Sequence, residues 1–540
     1  MNAYSQTLKN ILSDKRVTAA ILFIVIASRA IQLLFFYNIR VDGMYQVVAM
    51  QNFIHGHGIS IGNALPSNLS YFYYEPLINW PPGYSLMMAP FYLLFNHNYI
   101  LAGIIMDLLF AVLLIFTGRK ILKLLDTPLF LVNLFTLSTG FFIYFFYYIN
   151  SSDAIAISIF LFGIFYTLKL VKTKQFSSVT AAGLMLPLFL AGFIKYLFIP
   201  VVFIIPVCLL IYGLVNKEKL FIKAGVLSAV VLSILFTGLL LYQKEISGTA
   251  FYISQPERGF FPENLSEAYP TIPAAFLMPD SAAVYFDNFR PGRSFYRILQ
   301  IINFVLLTGM LFIIVKKIFG RSGKPIFTLS FLIFLTAFLL AGITVMLAIL
   351  SISVAKEENF PGNLWTYIEE PRYYGLITVL IHISIFASLP SLMKMFNRSF
   401  PAYLFLFLLI PETTRGVVFT ANRISRFNNE VYIWQLEYKL QKLADDIINK
   451  NRKENEITVV TGSMYYLNYR VSLFSHTGIM TNASAINKPG QIKSTKPTLL
   501  LVIIYEKDIN AYLPFIESNK IEVAGYKDGF YFYTLHVSPE

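Results

Sequence analysis

Residues 197–242 read LFIPVVFIIPVCLLIYGLVNKEKLFIKAGVLSAVVLSILFTGLLLY. Two apolar runs, 197–215 and 220–242, flank a turn holding Lys217, Glu218 and Lys219, with Lys223 one turn on. Each run is close to the roughly 20 residues that carry a helix across the hydrocarbon of a bilayer. Inside lipid the backbone must satisfy its own polar groups, so the pattern reads as two membrane helices. The lysines between them mark the cytoplasmic side.

The same pattern extends in both directions. Apolar runs recur at 17–37, 99–121, 129–148, 153–171, 179–194, 298–315, 326–354, 374–392 and 400–418, and a shorter one at 83–95 reads as re-entrant or interfacial. Basic clusters fall at alternate ends: Lys15/Arg16, Arg119/Lys120/Lys123, Lys169/Lys172/Lys174, Lys316/Lys317/Arg321/Lys324 and Lys394/Arg398. With eleven crossings all of them share one side, which places residues 1–16 in the cytoplasm. The first run lacks a small-residue cleavage motif and reads as a retained anchor. Composition agrees, since only 14% of the 540 residues are charged and the mean hydropathy is +0.61. A soluble chain carries about a quarter charged residues. The net charge of +13 sits beside apolar runs, where it faces lipid headgroups, so a nucleic-acid partner is set aside. The lone cysteine, Cys208, lies inside an apolar run and allows no intrachain disulfide.

This topology leaves three segments outside: 38–82, 243–297 and 420–540. The last is richer in charge and reads as a small extracytoplasmic α/β domain. Within it 430–451 has helical periodicity, 457–461 and 498–505 read as buried strands, and Lys527-Asp528-Gly529 as a hairpin turn. The expected fold is therefore a polytopic α-helical membrane module, 17–419, followed by that domain.

The first outer segment is densest in chemistry. It holds Arg40-Val41-Asp42-Gly43-Met44-Tyr45, Gly56-His57-Gly58, Tyr74-Glu75-Pro76 and Trp80-Pro81-Pro82-Gly83-Tyr84. An acid directly after a span, partly desolvated, is a better proton acceptor than one in water. Arg29 lies inside the first run, where a cation costs about 2.5–3.5 kcal/mol on insertion scales. Asp153 follows Asn150-Ser151-Ser152, Lys195 sits between two spans, and Arg372-Tyr373 opens another. Cations stabilise a phosphate leaving group while a carboxylate accepts a hydroxyl proton. Plainer readings stand beside these. Asp42 is equally a loop acid or helix cap, Asp153 an N-cap, Lys195 and Arg372 snorkelling cations, Tyr373 a belt aromatic and His57 a loop residue between glycines. Phosphate-loop, nucleophile-elbow and zinc-protease motifs are absent from the sequence, and the six histidines are scattered.

Taken in order, Arg29, Asp42-x-x-Tyr45, residues 52–58, Trp80-Pro81-Pro82-Gly83-Tyr84, Asp153, Lys195 and Arg372-Tyr373 resemble the GT-C membrane glycosyltransferases. Within these the chain looks like the bacterial relatives of protein O-mannosyltransferases and of the lipid A aminoarabinose transferase. The resemblance implies transfer of a sugar from a polyprenyl-phosphate donor to an acceptor glycan, lipid or protein outside the membrane, with inversion. It implies Asp42 and Asp153 as catalytic acids. It implies substrate contacts by Arg29, Tyr45, His57, Glu75, Trp80, Tyr84, Lys195, Arg372 and Tyr373. It also implies a bacterial inner-membrane location, with the N-terminus inside and the C-terminal domain outside. Many mannosyltransferases carry two adjacent acids where this chain has Asp42-Gly43, which counts against protein mannosylation and leaves a divalent metal, Mg2+ or Mn2+, open. A non-catalytic transporter or translocase of a lipid-linked sugar remains the alternative.

Overall fold

The computed structural model describes residues 9–36, 41–141, 152–248, 325–350, 375–395, 433–463, 478–479 and 492–540, with single residues between 305 and 421. The chain divides into two compact units, Met1–Tyr37 with Ile104–Ser425, and Asn38–Gly103 with Arg426–Glu540.

The first unit is helical. Its helices are α1 (Lys15–Phe36), α4 (Tyr99–Leu124), α5 (Leu129–Phe141), α6 (Ser152–Thr173), α7 (Ser178–Ile194), α8 (Phe198–Val202), α9 (Ile204–Val215), α10 (Lys219–Ser247), α11 (Pro325–Leu350) and α12 (Gly375–Met395). Among the described residues, five spans are long and apolar enough to cross a membrane: Lys15–Leu34, Tyr99–Leu124, Ser152–Thr173, Phe198–Val215 and Lys219–Ser247. The chain is a helical membrane protein. The runs expected at 298–315 and 400–418 lie largely outside the described residues.

The run at 197–215 is one span in sequence but two helices in the structure, broken at Phe203. Pro206 has no N–H to give to the carbonyl four residues back, so the helical ladder is interrupted there. Neighbours in sequence pack together, α6 on α7 and α9 on α10, and α1 packs on the distant α5. Close approach of α9 and α10 requires Gly225, since a Cβ there would lie 2.9 Å from Leu210 N and Pro206 O.

One basic residue departs from its expected position at the headgroups. Arg119 is buried and donates to Asn133 Oδ1 (3.0 Å) and Thr136 Oγ1 (2.5 Å). Asn133 in turn donates to Leu12 O (2.7 Å) and Thr18 Oγ1 (2.8 Å), joining the start of α1 to α4 and α5.

The second unit contains α2 (Val41–Ile54), β1 (Ser60–Leu65), β2 (Asn68–Pro76), α3 (Gly83–Leu94), α13 (Ile433–Asn451), β3 (Ile457–Gly462), β4 (Gly478–Ile479), β5 (Thr498–Tyr505), α14 (Ile509–Asn519), β6 (Val523–Lys527) and β7 (Phe530–Val537). The strands form one sheet in the order β2-β1-β4-β3-β5-β7-β6. Its centre is parallel, Val460 pairing Leu501, and its two ends are antiparallel hairpins. Asp528 and Gly529 both take positive φ, 49° and 85°, as a two-residue turn between β6 and β7 demands.

Because side chains alternate along a strand, the sheet presents two apolar faces. On one, Leu440, Ala444, Ile447 and Ile448 of α13 cover Val460, Leu499, Leu501 and Ile503. On the other, Tyr512 and Phe515 of α14 pack with Val459, Leu500, Val502 and Ile504, and with Ala64 and Leu69 of the first hairpin. Here the structure differs from the sequence reading. Residues 38–82, expected as an outer loop of the membrane module, instead supply two strands and part of the core to the sheet of the C-terminal region. Asn63 pairs Ile479, and the Leu69 N–H donates to Lys493 O at 2.8 Å. Strand partners this remote in sequence leave no local mark, because a β ladder records only its own period of two.

Candidate functional site

The link between α6 and α7 spans only residues 174–177, so the start of α6 and the end of α7 come to the same end of the bundle. Asp153 lies in the first turn of α6, where the positive end of the helix dipole favours a carboxylate. Lys195 ends α7 in extended conformation, its N–H bonded to Ala191 O at 3.1 Å. Their side chains meet, Lys195 Nζ lying 3.1 Å from Asp153 Oδ2, with only 14% and 4% of the two side chains exposed. Two residues singled out separately in the sequence are thus one buried ion pair. Each ion alone would be costly to desolvate, and together they compensate.

Beside the pair, Gln243 Nε2 donates to the hydroxyl of Tyr196, joining α10 to the segment after α7. Sequence reading missed both. The available signal was a glutamine directly following an apolar run and buried in the structure. Arg29, 2% exposed, donates from its Nη2 to Thr139 O at 3.0 Å, from α1 to α5.

The remaining candidates fall in the sheet unit. Asp42 is the second residue of α2, but its side chain lies outside the described set. Three residues along that helix Tyr45 stacks on Trp80, centroids 5.4 Å apart and planes at 21°. Two contacts hold α2 against α3: the Ser85 hydroxyl donates to Gln46 O (2.8 Å), and Gln51 Nε2 to the Tyr92 hydroxyl (3.3 Å). Tyr84, expected at the substrate, is fully buried in α3.

His57 stacks on Tyr74 almost in parallel, at 3.9 Å and 7°. Tyr74 in turn lies over Gly62, where a Cβ would come within 3.2 Å of the ring, so glycine is what lets the ring settle across the neighbouring strand. Burial pushes the Tyr74 hydroxyl above its ordinary value of 10.0, and it remains a neutral donor at physiological pH. Glu75 Oε2 lies 3.5 Å from Asn63 Nδ2, and the Oδ1 of Asn63 is buried with no hydrogen-bond partner among the described residues.

Arg372 and Tyr373 lie outside the described residues. Among the described residues no group of three or more His, Cys, Asp or Glu is placed to hold a metal ion. Among the described residues, the charged partner beside Asp153 is the Lys195 ammonium.

No family model and no curated protein matches the chain. Among solved structures it is similar to ArnT from Cupriavidus metallidurans bound to undecaprenyl phosphate, at 13% identity and a TM-score of 0.43, over 96% of this chain and 97% of that one. It is similar also to the archaeal oligosaccharyltransferase AglB from Archaeoglobus fulgidus in complex with an inhibitory peptide and a dolichol-phosphate, at 11% identity and a TM-score of 0.42, over 93% of this chain and 71% of that one. Both are GT-C glycosyltransferases, the superfamily that the sequence motifs resemble. Likenesses at this level assign no residue a role, and the roles below rest on this chain's own residues.

Proposed function

We propose that this chain is an inverting membrane glycosyltransferase that moves a sugar from a polyprenyl-phosphate donor to an acceptor on the non-cytoplasmic face. The observation that carries this reading is the buried pair of Lys195 and Asp153 in the membrane-spanning unit. Ionisable residues at membrane depth are costly and mark functional sites by default. In the proposed step the acceptor hydroxyl oxygen attacks the anomeric carbon. The bond from that carbon to the phosphate oxygen breaks, and its electron pair leaves with the phosphate. Asp42 takes the hydroxyl proton or orients the acceptor. Lys195 and Arg372 neutralise the leaving phosphate, and Asp153 holds Lys195 in place. Arg29, Tyr45, His57, Glu75, Trp80 and Tyr373 are assigned to the walls of the donor and acceptor sites. The proposed setting is a bacterial inner membrane with about eleven crossings, the N-terminus in the cytoplasm and the sheet unit outside.

The test is transfer of labelled sugar by purified protein in lipid nanodiscs. Asp42→Asn keeps size and removes the basic oxygen, so the variant is expected to bind polyprenyl phosphate normally yet transfer at least about a hundredfold more slowly. Near-normal transfer by that variant removes Asp42 from the role of base.

A further inference from the structure

The sheet order leaves β2 at one end, and the exposed part of that strand is aromatic. Tyr71, Tyr73 and Tyr74 are 56%, 38% and 39% exposed, whereas Phe72 between them packs into the core. Sheets normally protect a long end strand with lysine, proline or a bulge. Here β2 carries no lysine, and its proline comes only at its last residue, Pro76. Exposed apolar surface of this kind marks a contact site.

Charge narrows the occupant. Residues 56–77 contain no Lys or Arg and one acid, Glu75, in a chain of net charge +13. An anionic lipid surface or an acidic partner would be met by bases. A greasy partner would be met by aliphatic side chains, yet every exposed ring on β2 carries a hydroxyl. The adjoining groups are the Glu75 carboxylate on the face of Tyr73 and the His57 imidazole on the face of Tyr74. A neutral, hydroxyl-rich ligand with flat C–H faces fits this set. Pyranose rings lay their axial C–H bonds on aromatic faces and give their hydroxyls to carboxylate and amide oxygens. The His57–Tyr74 stack seated on Gly62 holds one such face rigid before any ligand arrives, which lowers the ordering cost of binding.

We propose that the exposed end of β2, with Tyr73 and Glu75 on one face of the strand and the Tyr74–His57 stack on the other, is a subsite for neutral pyranose units of an acceptor glycan. The proposal rests on the glycosyltransferase reading for the word acceptor and on the surface alone for the word glycan.

The experiment is titration of the full chain, in phosphatidylcholine nanodiscs, with four neutral hexasaccharides: maltohexaose, cellohexaose, chitohexaose and mannohexaose. At least one is expected to bind, with Tyr73→Ala and Tyr74→Ala each weakening it about tenfold or more, a loss of about 1.4 kcal/mol. Tyr74→Phe, which keeps the ring, should retain most of the binding. Absence of binding by all four, or equal binding by the alanine variants, overturns the subsite. A Tyr73→Trp variant quenched by brominated lipid beyond the parent's three tryptophans would put the strand in the bilayer and also overturn it. Transfer by the parent protein separates the two readings. Hexasaccharide binding that persists in a protein with no transferase activity on any donor would leave the subsite standing and remove the enzyme.

Discussion

In the membrane-spanning unit α6 packs on α7 across a link of four residues, and α9 on α10 across a turn of similar length. In the sheet unit Asn63 pairs Ile479, and Leu69 shares a core with Leu500 and Phe515. The first unit packs several sequence neighbours together and ties more distant helices by buried polar contacts such as Arg29 to Thr139. The second joins the two ends of the chain, and its core is apolar on both faces of a sheet. Loss of one contact should therefore act differently in the two places. In the bundle it strands a charge. In the sheet it loosens segments hundreds of residues apart.

The largest expected effect is in the bundle. Lys195→Ala leaves the Asp153 carboxylate buried without its ammonium, and breaking such a pair costs about 3–5 kcal/mol. Thermal unfolding in nanodiscs should show that loss, and Lys195→Ala with Asp153→Ala should recover most of it while transfer stays absent. If the single and double variants are equally stable, the two charges are not coupled and the contrast between the units fails.

Next comes the sheet. Leu69 is fully buried, and Leu69→Ala should cost about 2–5 kcal/mol. The diagnostic is where the loosening appears. Hydrogen exchange should speed up together in residues 60–76 and 498–505. Faster exchange confined to the first hairpin would mean that the sheet unit is two parts rather than one.

The smallest effect is a pH dependence within the sheet unit. Burial alone would raise the Glu456 carboxyl, but the Lys453 N–H (2.8 Å) and His536 Nδ1 (2.8 Å) hold it below its ordinary value. A carboxyl lowered in the folded state contributes stability that is full above its unfolded pKa of about 4.3. That contribution is lost as pH falls through the folded value. His536→Gln should therefore narrow the difference in stability between about pH 7 and pH 3, read by denaturant unfolding. An unchanged difference would mean that Lys453 alone holds the carboxyl down.

Much of this was legible because the signals are local. An apolar run long enough to span lipid has to become a helix, so α1, α4, α6, α7 and α10 lie close to where the sequence puts them. The strand at 498–505 and the turn at Asp528-Gly529 are equally local, one a continuous apolar run and the other a pair needing positive φ. The break at Phe203 is written in Pro206, inside a run whose apolar length alone predicts one continuous helix. Asp153 and Lys195 were each visible as charges out of place in apolar surroundings.

What the sequence determined by itself is therefore the long apolar helices, the membrane, and the identity of the residues too polar for their positions, because each follows from the transfer energy of side chains in a short window. Tertiary structure alone decided that Asp153 and Lys195 are partners. It alone seated Tyr74 between His57 and Gly62, and it alone made the first hairpin part of a sheet begun near residue 457. Those are choices among distant partners of equal local fitness. Only the packing of both sheet faces, and the cost of leaving a buried charge uncompensated, makes one choice lowest in free energy.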